Sequence, residues 1–166
     1  MFYGRGLTLD DKVHCWGWEG HGQTDVPPDV PPLTMISAGF DQVCGLTAEG
    51  ELFCWGDEFY SLPTGSFTSI DMGDDAGCGL REDASVECWG GNGSAWKNPP
   101  SGSFKQVSAG HYEHSCGVRT DGSLACWGEH YLTAERRTLI SDLPEGEFQS
   151  VEVGQLHTCA LGVDGT

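Results

Sequence analysis

Basic residues are scarce in this chain: 8 lysines and arginines stand against 25 aspartates and glutamates, a formal net charge of -17 over 166 residues. A surface of that sign repels phosphate, so nucleic acid and anionic membranes are excluded as main partners. Long apolar runs are missing too. No stretch approaches the roughly 18 to 20 residues that span a bilayer, and the opening "MFYGRGLTLDDK" has no apolar signal-peptide core, so no membrane insertion is expected. The chain has no Cys-x-x-Cys or Cys-x-x-His pair, no His-Glu-x-x-His and no phosphate loop, and "GNGSAW" at 91–96 is not a Gly-x-Ser-x-Gly elbow. "GWEGHG" at 17–22 is glycine-rich but runs on into "QTDVPP", which reads as loop punctuation. Motif content therefore predicts no enzyme activity, no metal and no cofactor.

What the chain has is repetition. "CGLTAEGELFCWG" (44–56), "CGLREDASVECWG" (78–90) and "CGVRTDGSLACWG" (116–128) share two cysteines ten positions apart with Trp-Gly after the second. A second anchor precedes each first cysteine: "LTMISAG", "FTSIDMG", "FKQVSAG" and "FQSVEVG", opening at Leu33, Phe67, Phe104 and Phe148, with spacings of 34, 37 and 44 residues. Periods of that size indicate a solenoid, propeller or array. We read residues 1–166 as one repeat domain with units starting near 33, 67, 104 and 148 and a partial hairpin at 1–17.

Within a unit the apolar residues alternate and no helical period is sustained, so the class is all-β. "AEG" (48–50) and "TDG" (120–122) suit three-residue hairpin loops closing on a left-handed glycine. "EDA" (82–84) lacks that glycine, so its turn should be strained or different. In this register the cysteines face each other, which predicts disulfides Cys44–Cys54, Cys78–Cys88 and Cys116–Cys126. Trp127 should point to the face opposite Cys126, leaving the hairpin apolar on both sides and sandwiched between similar sheets, as in a propeller blade. Eight regularly spaced cysteines argue for an oxidising, extracellular or cell-surface location.

The stretch "VSAGHYEHSCGVRTDGSLACWG" (107–128) resembles the repeat of the regulator of chromosome condensation family, and "WGWEGHGQTDVPP" (16–28) resembles the segment after Trp-Gly in that repeat. The resemblance implies a β-propeller of typically seven blades, of which about four short ones are present here. The cysteine pairing resembles secreted bacterial and receptor-ectodomain members. At the start, Arg5 stands where a first cysteine belongs, and "CALGVDGT" (159–166) stops before a second. Three arrangements are open: an open arc or fragment; a ring closed within the chain by Cys15–Cys159; or a homodimer whose two arcs complete one ring.

Function is expected in the variable loops on this frame. The loops between each glycine and first cysteine should line one face, offering Phe40, Asp41, Asp74, Asp75, His111, Tyr112, Gln155 and Leu156 to another protein. His114 and His157 read as hydrogen-bonded blade residues. The segment 128–147 is the longest excursion, with a short helix expected through "TAERRTLI", and Asn92 heads an Asn-Gly-Ser sequon. The first reading is a noncatalytic protein-binding module; inhibition of an enzyme, as in the propeller-type beta-lactamase inhibitor, is one form the resemblance offers. A guanine-nucleotide exchange factor for a small GTPase is the family-derived alternative. A calcium- or glycan-binding lectin-like propeller is a third, for which carboxylates in "DMGDDAG" (71–77) and "WGDEF" (55–59) would be the ligands.

Overall fold

The computed structural model describes residues 3–7, 12–57, 61–74, 76–90, 98–110, 114–128 and 141–166. Asp75, His111, Tyr112, Asn92 and the helix expected at 133–140 lie outside the described residues. Among the described residues the chain is built of strands in five antiparallel sheets. The first pairs β1 (Tyr3–Leu7) with β2 (Val13–Gly17). Three complete sheets come next, each in chain order: β3 (Met35–Ala38), β4 (Gln42–Leu46), β5 (Leu52–Gly56); β6 (Ser69–Met72), β7 (Ala76–Leu80), β8 (Val86–Gly90); and β9 (Phe104–Ala109), β10 (His114–Arg119), β11 (Leu124–Gly128). The last pairs β12 (Phe148–Val153) with β13 (Thr158–Gly162).

The cysteine register is the expected one. Cys44 faces Cys54, Cys78 faces Cys88 and Cys116 faces Cys126, and each pair is a disulfide with Cα atoms 4.1, 4.0 and 4.0 Å apart. Arg5 sits opposite Cys15, where the repeat would place a cysteine. The architecture is an open arc of propeller blades. Cys159 is an exposed thiol and the Cys15–Cys159 bond of the ring-closed arrangement is not made: the arc is open, and Cys15 packs instead against the layer of Leu33, Val43 and Trp55.

Alternation gives each sheet two apolar faces, and both faces of the three complete sheets are buried by neighbouring sheets. The cysteine face looks forward: Cys44 and Leu46 pack on Phe67, Ile70, Met72 and Trp89, and Cys116 and Val118 pack on Phe148 and Val151. The tryptophan face looks back, so Trp127, with Phe104 and Val107, covers Cys78 and Leu80 of the preceding unit. Trp55 and Leu33 likewise receive Val13 and Cys15 of the first sheet. The core is thus a series of inter-sheet layers rather than one centre.

The first strands β6, β9 and β12 each have an edge outside their own sheet, and side chains of neighbouring units bond to it. Gln106 donates from Nε2 to the Val151 carbonyl at 2.9 Å and accepts from the Val151 N–H at 2.6 Å. Ser37 accepts from the Met72 N–H at 3.0 Å and Ser108 from the Val153 N–H at 3.1 Å. Asp71 joins three units: one oxygen accepts from the Ser37 hydroxyl at 3.2 Å, the other from the Ser108 hydroxyl at 3.1 Å and the Ala109 N–H at 2.9 Å. Both oxygens of this carboxylate are therefore engaged in the frame, which removes Asp71 from the cation-binding reading of "DMGDDAG".

Candidate functional site

Three glycines that end the first strands stand in van der Waals contact with the next unit. A Cβ on Gly39 would lie 2.1 Å from the Gly73 carbonyl oxygen, one on Gly73 2.0 Å from that of Gly110, and one on Gly110 2.6 Å from Val153 Cγ1. Only glycine permits that approach. The loops beyond these glycines are consequently neighbours, and the Phe40 N–H donates to the Asp74 carbonyl at 3.1 Å.

Of the residues expected to bind, Phe40 is 48% exposed and Leu156 50% exposed. Gln155 is exposed, and Asp41 and Asp74 are half-buried. Phe40 and Asp74 are brought together across one inter-unit boundary, while Gln155 and Leu156 occupy the equivalent loop of the last unit. His114 is buried and its Nε2 lies 2.9 Å from the Thr158 hydroxyl of β13. Burial, and then repulsion from His157, hold its imidazole below the usual histidine pKa. The neutral ring is a structural hydrogen-bonding group that ties the third complete sheet to the last.

The sequence reading missed the neighbours of Phe40. The segment after Gly17 folds back so that the Trp18 ring lies 6.4 Å from Phe40 and 5.5 Å from His21 between centroids. Gln23 fixes the fold of this segment: it is fully buried, its carbonyl accepts from Trp55 Nε1 at 3.2 Å, and its Oε1 accepts from the His21 N–H at 2.9 Å. Asp57, just beyond β5, donates its N–H to the Asp41 carbonyl at 3.0 Å. His21 Nε2 then lies 3.7 Å from an Asp41 oxygen and Nδ1 lies 3.6 Å from an Asp57 oxygen. Two aromatic rings, an imidazole and two carboxylates are gathered at one end of the first complete sheet. The composition suits a partner with an apolar group flanked by cations.

The comparisons with known proteins agree with this frame. The model of the regulator of chromosome condensation (RCC1) repeat matches residues 36–61 and 104–131. The entire ectodomain of the receptor kinase CR4 from Physcomitrella patens is similar at 27% identity and a TM-score of 0.78, over 98% of this chain and 48% of that one. The CRINKLY WD40 ectodomain of the receptor kinase ACR4 from Arabidopsis thaliana is similar at 30% identity and a TM-score of 0.67, over 76% of this chain and 47% of that one. Yeast RCC1 (Prp20), solved bound to Kap60, shares the fold at 18% identity and a TM-score of 0.79, over 98% of this chain and 52% of that one. The chain spans about half the length of these structures. No curated protein sequence matches it. With its repeated hairpins and inter-sheet layers, the chain carries the RCC1 repeat at residues 36–61 and 104–131 and shares the fold of these RCC1-like structures.

Proposed function

We propose that the chain is a noncatalytic protein-binding module of an extracellular or cell-surface protein, and that it engages its partner through the loops beyond Gly39, Gly73, Gly110 and Gly154. The observation that carries this reading is Phe40. A phenylalanine 48% exposed, backed by Trp18 and flanked by Asp41 and Asp57, is an anchor of the type that fills a pocket at the centre of an interface. Three disulfides favour an oxidising compartment over the reducing one in which a GTPase exchange factor works. The similarity to two receptor ectodomains points the same way.

The test is capture of partners from the extracellular fluid of the source by the immobilised wild-type chain and by a Phe40→Ser, Asp41→Asn variant, with both eluates read by mass spectrometry. A basic protein retained by the wild type and lost by the variant is the expected result. A partner bound equally by both would move the interface off this face.

A second reading has its own observation. Trp55, Trp89 and Trp127 are 6%, 3% and 6% exposed, whereas Trp16, at the same place in the repeat, is 57% exposed. The back face of the first sheet and the front face of the last are the kinds of surface that every other unit buries. We propose that a second copy covers them head to tail, completing a ring. Sedimentation of the intact chain at micromolar concentration should give a dimer that Trp16→Glu dissociates; a monomer at all concentrations would rule it out.

A further inference from the structure

We propose that His21, Asp41 and Asp57 form a binding site for a divalent ion of the zinc type. One ligand atom from each of the three lies within 4.8 Å of the others. The three come from separate segments, and each is held by something other than its charge. The His21 backbone hangs on the buried Gln23 side chain, and Asp57 is tied to Asp41 through the backbone.

The imidazole and the two carboxylates stand near one another without closing to hydrogen-bond distance, which leaves room for an ion among them. The nitrogen–oxygen separations of 3.7 and 3.6 Å exceed the roughly 2.7 to 3.2 Å at which a ring N–H bonds a carboxylate. Ligand atoms at about 2.1 Å from a tetrahedral zinc ion stand about 3.4 Å apart, so the separation on whichever nitrogen takes the ion is close to that of neighbouring ligands, and the second carboxylate completes the set once the ring turns. The two carboxylates lie beside different ring nitrogens, and one nitrogen must take the metal. The ring is 42% exposed, so it can turn to present one nitrogen.

The donor set decides the ion. One imidazole and two carboxylates suit zinc and its first-row neighbours, whereas calcium requires six to eight oxygens, about three times what these two carboxylates offer as single donors. Three protein ligands leave a fourth position open to water or to a group from a partner. The formal charge of -17 raises the local concentration of any cation near this surface.

The test is calorimetric titration of the intact chain with zinc chloride, after blocking of free thiols so that Cys159 cannot compete for metal. His21→Ala and Asp57→Asn change exposed or half-exposed groups and should leave metal-free melting unchanged. Each is expected to weaken zinc binding by more than about tenfold, with calcium and magnesium giving no heat to any form. Bound cobalt should give a visible absorption band that both variants lose. Zinc bound equally by wild type and His21→Ala, or no zinc heat in the wild type, overturns the proposal and leaves the cluster as an ion pair. A variant with altered metal-free melting would be replaced by His21→Gln, read by the cobalt band.

Discussion

The third complete unit (104–128) and the last described one (148–162) start from nearly the same residues and meet different fates. Cys116 and Val118 are fully buried at 0% exposure; their counterparts Cys159 and Leu161 are exposed, the latter at 43%. The first strands do not differ in this way, since Phe104 and Phe148, Val107 and Val151 are all buried. What separates the two units is a third strand and a further sheet beyond it. A hairpin of this repeat buries only the face that a neighbour covers, so its stability is a property of the stack rather than of the local sequence.

The largest effect that would break this comparison comes from the tryptophans. Trp127 is packed against Phe104 at 5.9 Å between ring centroids and over Cys78 and Leu80. Its replacement by alanine should cost about 3–5 kcal/mol, as expected for emptying a large core site. Trp16→Ala should change stability by no more than about 0.5 kcal/mol, because the ring is 57% exposed. Urea unfolding of the two variants measures both. Equal losses would mean that the first sheet is covered in solution, which would favour the head-to-tail dimer.

Next come the cysteines. Removing the Cys116–Cys126 bond in a double serine variant reopens a short loop and should cost about 2–3 kcal/mol in the chain-entropy model. Cys159→Ser removes the same residue type from the same place in the repeat and should cost less than about 0.5 kcal/mol. The comparison is read by thermal unfolding under non-reducing conditions. A large loss in Cys159→Ser would show that this thiol has a partner that the isolated chain lacks.

Much of the frame was legible because it is written at short range. Cysteines ten positions apart, a three-residue turn and alternation fix the hairpin, the register and the two apolar faces without reference to anything distant. The candidate site was legible only in part: Phe40 and Asp41 were expected in a binding loop and Asp57 stands in "WGDEF", but Trp18 and His21 were not connected with them. His21, Asp41 and Asp57 lie in three segments, and they meet through the buried Gln23 and one backbone hydrogen bond, for which the sequence has no marker. Asp71 misled in the opposite direction, since its acidic neighbours suggested a cation and the fold uses it to join Ser37 and Ser108. Two of the few basic residues went unread as well. Arg81 lies over Phe67 at 3.9 Å and Arg119 over Phe104 at 4.8 Å, and they donate to the carbonyls of Ser66 and Ser101 in the loops that precede those rings.

The smallest expected effect separates the turns themselves. The third turn residue is Gly50, Ala84 or Gly122, with φ of 78°, 64° and 88°, so alanine occupies the left-handed region that the other two turns give to glycine. The position is kept because of its carbonyl, which accepts from the N–H of the next unit's first phenylalanine: Gly50 from Phe67 at 2.8 Å, Ala84 from Phe104 at 2.8 Å and Gly122 from Phe148 at 2.9 Å. The turn therefore fastens one sheet to the next, and Ala84 adopts the strained conformation to keep that bond. An L-residue pays about 1–2 kcal/mol there, and glycine returns about 0.5–1 kcal/mol of that in unfolded-state entropy. Ala84→Gly should thus stabilise the chain by about 0.5–1 kcal/mol. Gly50→Ala should do the reverse and more, because its Cβ would also lie 2.4 Å from the Phe67 carbonyl oxygen. Denaturation midpoints moving in opposite directions are the expected result. If Ala84→Gly lowered the midpoint instead, the alanine methyl would have to contribute packing that outweighs its backbone strain.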